Sequence, residues 1–158
     1  SAQIEGVAVG GGLAISAGAD IRIATPEARF GMPTARTLGN CLSMKSYAMF
    51  VDLFGASRLK EIVFTARLIS ADEALAAGYV HQIVPAHDIE KYVRELAAKV
   101  AAHAPLTLWA TKEALRRIQD ARALPDGHDI VRKVYGSDDF KEGVRAFVEK
   151  RAPRWTGK

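Results

Sequence analysis

The 158 residues suffice to bury the core of one domain, and 49% hydrophobic with 25% charged residues is ordinary for a folded protein, which excludes disordered and fibrous classes. No apolar run reaches the roughly 20 residues of a membrane span, residues 1–25 lack the basic start and apolar stretch of a secretory signal, and the single Cys41 excludes an internal disulfide framework and fits a reducing cytoplasm. The net charge of +4 fits either a basic solvated surface or an anionic partner; no aromatic RNA-binding signature or zinc-finger spacing accompanies it, which makes nucleic acid the weaker partner.

Ile4 to Val9 is apolar in a strand-like way, and Leu13 to Ala19 is small and helical in pattern. Asp20-Ile21-Arg22-Ile23-Ala24 alternates as a second strand, and Ala28-Arg29-Phe30 makes a brief third. From residue 40 the pattern turns helical: Leu42 to Phe54 stops at Gly55, and Ser57 to Ala66 forms the next helix. Ser70-Ala71-Asp72-Glu73 has the form of a capping box, and the helix it starts ends by Gly78. Val80 to Val84 reads as a strand closed by Pro85. Ile89, Val93, Leu96 and Val100 keep the spacing of an amphipathic helix. Pro105 opens another, with Leu108, Leu115 and Ile118 on one side. Ser137 followed by two aspartates starts a last helix running to about Arg151. Residues 1–85 thus form a β/α front and residues 86–158 a helical rear, expected as one folding unit.

Gly10-Gly11-Gly12 stands where a strand hands over to a helix, whose first amides have no acceptor within the helix. Such amides suit an anion or a developing negative charge, and around an acyl carbonyl they form half of an oxyanion hole. Equally, three glycines allow tight strand-to-helix packing. There is no G-x-G-x-x-G dinucleotide fingerprint. The four histidines, His81, His87, His103 and His128, are scattered without a ligand-like pair, so no metal is expected.

The order Ile4-x-Gly6-x-Ala8-x-Gly10-Gly11-Gly12, Asp20-Ile21-Arg22-Ile23-Ala24 and Ala28-Arg29-Phe30-Gly31-x-Pro33 resembles the core of the crotonase superfamily, the enoyl-CoA hydratases and isomerases. The resemblance continues through Ala66-Arg67-x-Ile69-Ser70-Ala71-Asp72-Glu73-Ala74 and Gly78-Tyr79-Val80 to the segment Lys141 to Arg151, so it spans the whole chain. It implies an α/β crotonase-like (ClpP/crotonase) core with a helical C-terminal region. It implies that the Gly11 N–H polarises a thioester oxygen, with Gly12 beside it at the helix start. Phe147 and Lys150 fall where the family touches the coenzyme A nucleotide, often across a subunit boundary. The implied substrate is a coenzyme A thioester with no permanently bound cofactor, and the implied assembly is a homo-oligomer, a trimer or hexamer. A polyanionic substrate gives the positive charge a purpose.

Two positions depart from the family pattern. Hydratases of the family place one glutamate two residues after the glycine triplet and another after the proline of Phe-Gly-x-Pro; here those positions are Ala14 and Thr34. Neither side chain exchanges a proton near neutral pH, which puts two-glutamate hydration in doubt. The next segment, Thr34 to Ser43, has its glycine one place late and lacks the family's Pro-Gly turn. Within it, Arg36 could hold a carboxylate or phosphate or merely bind loop carbonyls. Cys41 could be a nucleophile or a small buried residue. Glu5 and Asp20 are acids near the turn with no expected role. The family's N-terminal half, which supplies the first oxyanion N–H, lies outside this sequence; a fragment, an abbreviated gene product and a segment encoded elsewhere all fit. The leading expectation is an acyl-CoA-processing enzyme that stabilises a thioester enolate. The alternative is a non-catalytic acyl-CoA-binding or assembly subunit.

Overall fold

In the computed structural model, which describes residues 1–158, the apolar run from Ile4 to Val9 is two strands rather than one. β1 (Ala2–Ile4) and β2 (Val7–Val9) enter different sheets because each half finds its own parallel partner. β1 lies beside β3 (Arg22–Ala24), with Ile4 opposite Ala24. β2 lies beside β4 (Arg29–Gly31), with Val9 opposite Gly31. Thr25 holds the corner between the sheets: its N–H donates to the Ile4 carbonyl at 2.9 Å and its hydroxyl to the Glu5 carbonyl at 3.0 Å. The β2–β4 sheet is completed by β5 (Ile69–Ser70), antiparallel to β4, and the β1–β3 sheet by β6 (Gln82–Ile83), parallel to β3.

Local rules place most of the helices. α1 (Gly11–Ala17) follows the glycine turn, and α2 (Thr34–Thr37) follows Pro33. α3 (Met44–Thr65) is interrupted at Gly55, whose φ of 72° and ψ of 155° are non-helical, so residues 44–54 and 56–65 are two helical pieces, as the glycine predicts. α4 (Ala71–Ala76) carries the expected capping box: the Glu73 N–H donates to Ser70 Oγ at 3.2 Å, and the Ser70 N–H donates to Glu73 Oε2 at 2.9 Å. Glu73 also accepts from Arg67 at 2.7 Å, and Arg67 pairs with Glu61 of α3, which ties α3 to α4. The Arg67 hydrogen bond, helped by the Ser70 amide, holds the Glu73 carboxyl down at about 2.

α5 (Ile89–Ala101) lies over the β1–β3–β6 sheet. Successive residues of a strand face opposite sides; Ile23 accordingly joins Val84 and Ile89 under α5, while Ala24 faces the main core with Leu13, Phe30, Phe50, Ile69 and Tyr79. α6 (Pro105–Asp120) departs from expectation. Its apolar side, read from the spacing of Leu108, Leu115 and Ile118, is exposed rather than packed. The helix is held at the surface by ion pairs such as Lys112–Asp20 at 2.9 Å. α7 (His128–Tyr135) has no counterpart in the sequence reading. α8 (Asp138–Val148) is capped by Ser137 as predicted, but it stops before Arg151 because Lys150 adopts a left-handed φ of 52°. Gly143 lets α8 approach the loop after α2, since a Cβ there would sit 2.4 Å from the Leu38 carbonyl oxygen. No helix is long and apolar enough to cross a membrane.

One polar network lies inside the core. Arg22, 4% exposed, donates to the carbonyls of Ser16 (3.4 Å), Ala17 (3.3 Å) and Ala19 at the end of α1, and to that of Tyr79. Its guanidinium lies 4.9 Å from the centre of the Tyr79 ring, which stacks on Phe54 at 4.5 Å. Replacing Arg22 with Met leaves these carbonyls buried and short of a donor, an expected loss of about 3 kcal/mol in urea unfolding. A loss below about 0.5 kcal/mol would show that the network does not hold α1.

Candidate functional site

The site begins with the register of two strands. β2 and β4 run parallel with Val9 opposite Gly31, and the Gly10 N–H donates to the Gly31 carbonyl at 3.2 Å, extending the ladder one residue further. Residues 10–12 and 32–34 therefore leave the same edge of the sheet. Gly10 has φ 53° and ψ −116°, a backbone that favours glycine, and it turns the chain into α1. The first helical bond runs from the Ala14 N–H to the Gly10 carbonyl at 3.1 Å. The amides of Gly11 and Gly12 precede it, have no acceptor within the helix, and meet no side-chain cap. Both residues are exposed.

Why these positions are glycine is a question that packing inside the chain does not answer. A Cβ at Gly10, Gly11 or Gly12 would meet nothing within 4 Å, and only Gly10 has a left-handed φ. Tight strand-to-helix packing, one of the two readings of the triplet, therefore does not account for Gly11 and Gly12 within this chain. What surrounds them is open space with two amide donors at its edge.

The turn is anchored from below. Leu13 is buried, and its carbonyl oxygen lies 3.0 Å from both Ser16 Oγ and the Tyr79 hydroxyl, which are themselves 2.6 Å apart. Burial pushes the Tyr79 phenol up, so this hydroxyl serves as a neutral hydrogen-bonding group. The spacing rules did not anticipate this anchor; its one signal was an arginine, Arg22, inside an apolar strand.

Ala14 sits one turn into α1, partly buried against the main core. Thr34 is the first residue of α2, and its carbonyl accepts from the Leu38 and Gly39 amides at 3.2 and 2.8 Å. The two segments that carry them share the sheet edge, and neither position offers a carboxylate. The nearby acids lie elsewhere. Glu5, at the corner before β2, accepts from Gln3 at 2.6 Å, and Asp20, beyond the other end of α1, pairs with Lys112. Burial raises the Cys41 thiol, opposite to what a thiolate nucleophile needs. Arg36 is exposed on α2, and its side chain makes no hydrogen bond or ion pair; only its backbone N–H is engaged, with the Pro33 carbonyl at 3.1 Å. Phe147, 69% exposed, and Lys150 lie at the C-terminal end of α8. In the segment Thr34 to Ser43, Gly39 has a left-handed φ of 63°, and Asn40 donates to the Tyr135 hydroxyl at 3.4 Å while its Oδ1 is buried without a donor.

Alanine substitution separates the three glycines. Gly10→Ala forces a side chain into a left-handed backbone and is expected to cost about 1–2 kcal/mol. Gly11→Ala and Gly12→Ala replace glycine in a helix with nothing in the way, so both should fold with stability unchanged or raised by up to about 1 kcal/mol. Thermal melts of the three variants check this; destabilisation at Gly11 equal to that at Gly10 would restore packing as the reason for the triplet.

Residues 1–158, the whole chain, match the family model for enoyl-CoA hydratase/isomerase. A short-chain-enoyl-CoA hydratase of Clostridium acetobutylicum is 33% identical over 153 residues, covering 95% of this chain and 58% of the relative. A methylmalonyl-CoA decarboxylase of Escherichia coli is 31% identical over 160 residues, covering 98% of this chain and 61% of the relative. The solved structure of a methylmalonyl-CoA decarboxylase complexed with 2S-carboxypropyl CoA superposes with a TM-score of 0.92 at 30% identity, over 99% of this chain and 61% of that one. The chain thus spans about six-tenths of the length of the relatives it matches, between 57% and 62% of the first three. With its β/α core and helical C-terminal region laid out as in that solved structure, the chain has the crotonase fold and belongs to the enoyl-CoA hydratase/isomerase family.

Proposed function

We propose that this chain is part of an acyl-CoA-processing enzyme that stabilises a thioester enolate through an oxyanion hole to which Gly11 contributes an N–H. The observation that carries this reading is the pair of open amides at Gly11 and Gly12, which no group of the chain caps and no packing within the chain explains. A thioester oxygen placed there accepts the Gly11 N–H and strengthens that bond as negative charge develops on it. One such donor contributes about 3 kcal/mol to the barrier. Phe147 and Lys150 are assigned to the coenzyme A nucleotide, where a lysine meets phosphate by charge and an exposed phenylalanine offers an apolar face. The exposed apolar residues of α6 and the end of α8 support a homo-oligomer, a trimer or a pair of trimers.

The reaction follows from what the sheet edge lacks. A pair of positioned acid and base groups contributes about 10²–10⁴ each to proton transfer, and Ala14 and Thr34 supply neither. Hydration of an enoyl thioester through these two positions is therefore not the activity proposed. A site of this kind suits an enolate formed without a carboxylate base. In the loss of CO2 from a 2-carboxyacyl thioester, the breaking C–C bond leaves its electron pair in the enolate, and the α-carbon then takes a proton. The relationship to methylmalonyl-CoA decarboxylases supports including this class. A second reading, a non-catalytic acyl-CoA-binding or assembly subunit, is favoured by the same two substitutions.

Purified protein given crotonyl-CoA should lose enoyl absorbance at least about 100-fold more slowly than a two-glutamate hydratase; equal turnover would overturn the role given to Ala14 and Thr34. A panel including methylmalonyl-CoA, followed by chromatography and by deuterium exchange at the α-carbon, separates the two readings. Turnover supports the enzyme, and binding without turnover or exchange supports the subunit. Proline is tolerated at the first helical position, so Gly11→Pro removes the N–H while keeping the helix. It should lower turnover about 100-fold, whereas Gly11→Ala retains it. Unchanged thioester binding and activity in Gly11→Pro would sink the oxyanion assignment.

A further inference from the structure

We propose that the Tyr79 hydroxyl is the positioning group for the oxyanion donors, fixing the direction of the Gly11 and Gly12 amides through the Leu13 carbonyl. This rests on the acyl-CoA reading above and adds to it a residue, remote in sequence, that prepares the site before a thioester arrives.

Three glycines in a row are the least restrained backbone a chain can place at a site. Nothing beside them narrows that freedom: a Cβ at any of the three meets nothing within 4 Å, and no side chain caps the helix. Their order comes from the peptide groups on either side. On one side the Gly10 N–H is bonded to the Gly31 carbonyl of β4 at 3.2 Å. On the other stands the planar Leu13–Ala14 peptide. Its N–H donates to the Gly10 carbonyl at 3.1 Å, and its carbonyl meets Ser16 and Tyr79, each at 3.0 Å. Gly11 and Gly12 are the residues left between these two fixed points.

The two hydroxyls have different effects. Together they carry two protons for three contacts. The 2.6 Å contact between the hydroxyl oxygens takes one proton and the Leu13 carbonyl takes the other, so removing either hydroxyl still leaves the carbonyl one donor. Ser16 belongs to α1 itself, three residues from Leu13, so its bond turns with the helix and fixes nothing relative to the sheet. Tyr79 lies outside α1, between α4 and β6. Its ring stands edge-on to Phe30 of β4 at 5.5 Å and stacks on Phe54 of α3 at 4.5 Å. The hydroxyl therefore refers Leu13 to β4, the same strand that holds Gly10. Hydrogen bonds weaken steeply when misaligned, so this reference matters most where charge develops on the thioester oxygen.

Nitrogen-15 relaxation of the free 158-residue chain reads the amides directly. Wild-type Gly11 and Gly12 should have order parameters of about 0.85, Tyr79→Phe should bring both below about 0.6, and Ser16→Ala should leave them unchanged. Tyr79→Phe keeps the ring and its packing, so circular dichroism and the order of amides outside residues 10–14 should match the wild type. Carbon-13-edited infrared spectra of bound propionyl-CoA read the consequence. The wild type should lower the thioester carbonyl frequency; Tyr79→Phe should remove about half of that shift or more, with affinity within about twofold, and Ser16→Ala should keep it. Amides that stay ordered in Tyr79→Phe overturn the proposal. Equal loosening in Ser16→Ala also overturns it, because supplying the carbonyl with a donor is then the whole role, and so does loosening spread over the entire chain in Tyr79→Phe. If the wild type binds propionyl-CoA without a carbonyl shift, or does not bind it, the oxyanion reading fails instead, and the amide measurement still decides the role of Tyr79.

Discussion

A guanidinium buried at the end of a seven-residue helix is the constraint on which the rest of the front half depends. α1 is too short to be stable by itself, and its last carbonyls point into the core rather than into water. Arg22 collects them and also bonds the Tyr79 carbonyl, and so joins α1 to β3 and to the segment after α4. Burial alone disfavours the charge and lowers the arginine's affinity for its proton; the carbonyl dipoles and the Tyr79 ring supply the compensation. At the other end of the helix the Tyr79 hydroxyl and Ser16 converge on the Leu13 carbonyl. Both ends of α1 are thereby tied, and the amides of Gly11 and Gly12 are held in place by groups that never reach the site themselves.

From that anchor the chemistry of the sheet edge follows. Parallel pairing of β2 with β4 brings two loops out side by side, one carrying hydrogen-bond donors and the other carrying Thr34 and Arg36. Along these two loops the Gly11 and Gly12 amides are open donors, and neither loop carries a carboxylate. Backbone donors without a neighbouring carboxylate suit a group that carries or develops negative charge. Along residues 10–14 and 32–34 no side chain exchanges a proton near neutral pH.

Local signals were read well and non-local ones poorly. Ser70 with Glu73, Gly55 and Ser137 each mark a helix boundary by interactions spanning a few residues, and each is found where the spacing puts it. The break between β1 and β2 was not legible, because alternation shows that residues extend but not which partner they pair with. β5 is two residues long and exists only because β4 lies beside it. α7 is a short helix without a marked cap, and α6 carries a helical pattern whose apolar side the rest of the chain leaves uncovered. At the site, the glycine triplet and the residue types at Ala14 and Thr34 were visible in the order of residues. The Arg22–Tyr79–Ser16 anchor was not, since its members are separated by up to 63 residues.

By itself the sequence determined the ingredients. They are a glycine turn between strand and helix, an alanine two residues after it, a threonine after Phe-Gly-x-Pro, and a motif order that identifies the family. These are statements about residue type and short spacing, which the chain carries in one dimension. Only the tertiary structure decided that Gly10 alone needs its glycine for backbone reasons and that Gly11 and Gly12 face open space. It also decided that the segments bearing Ala14 and Thr34 leave one sheet edge together. The physical reason is that amide exposure and loop adjacency depend on strand pairing and on a buried polar network, and both join residues far apart in the chain.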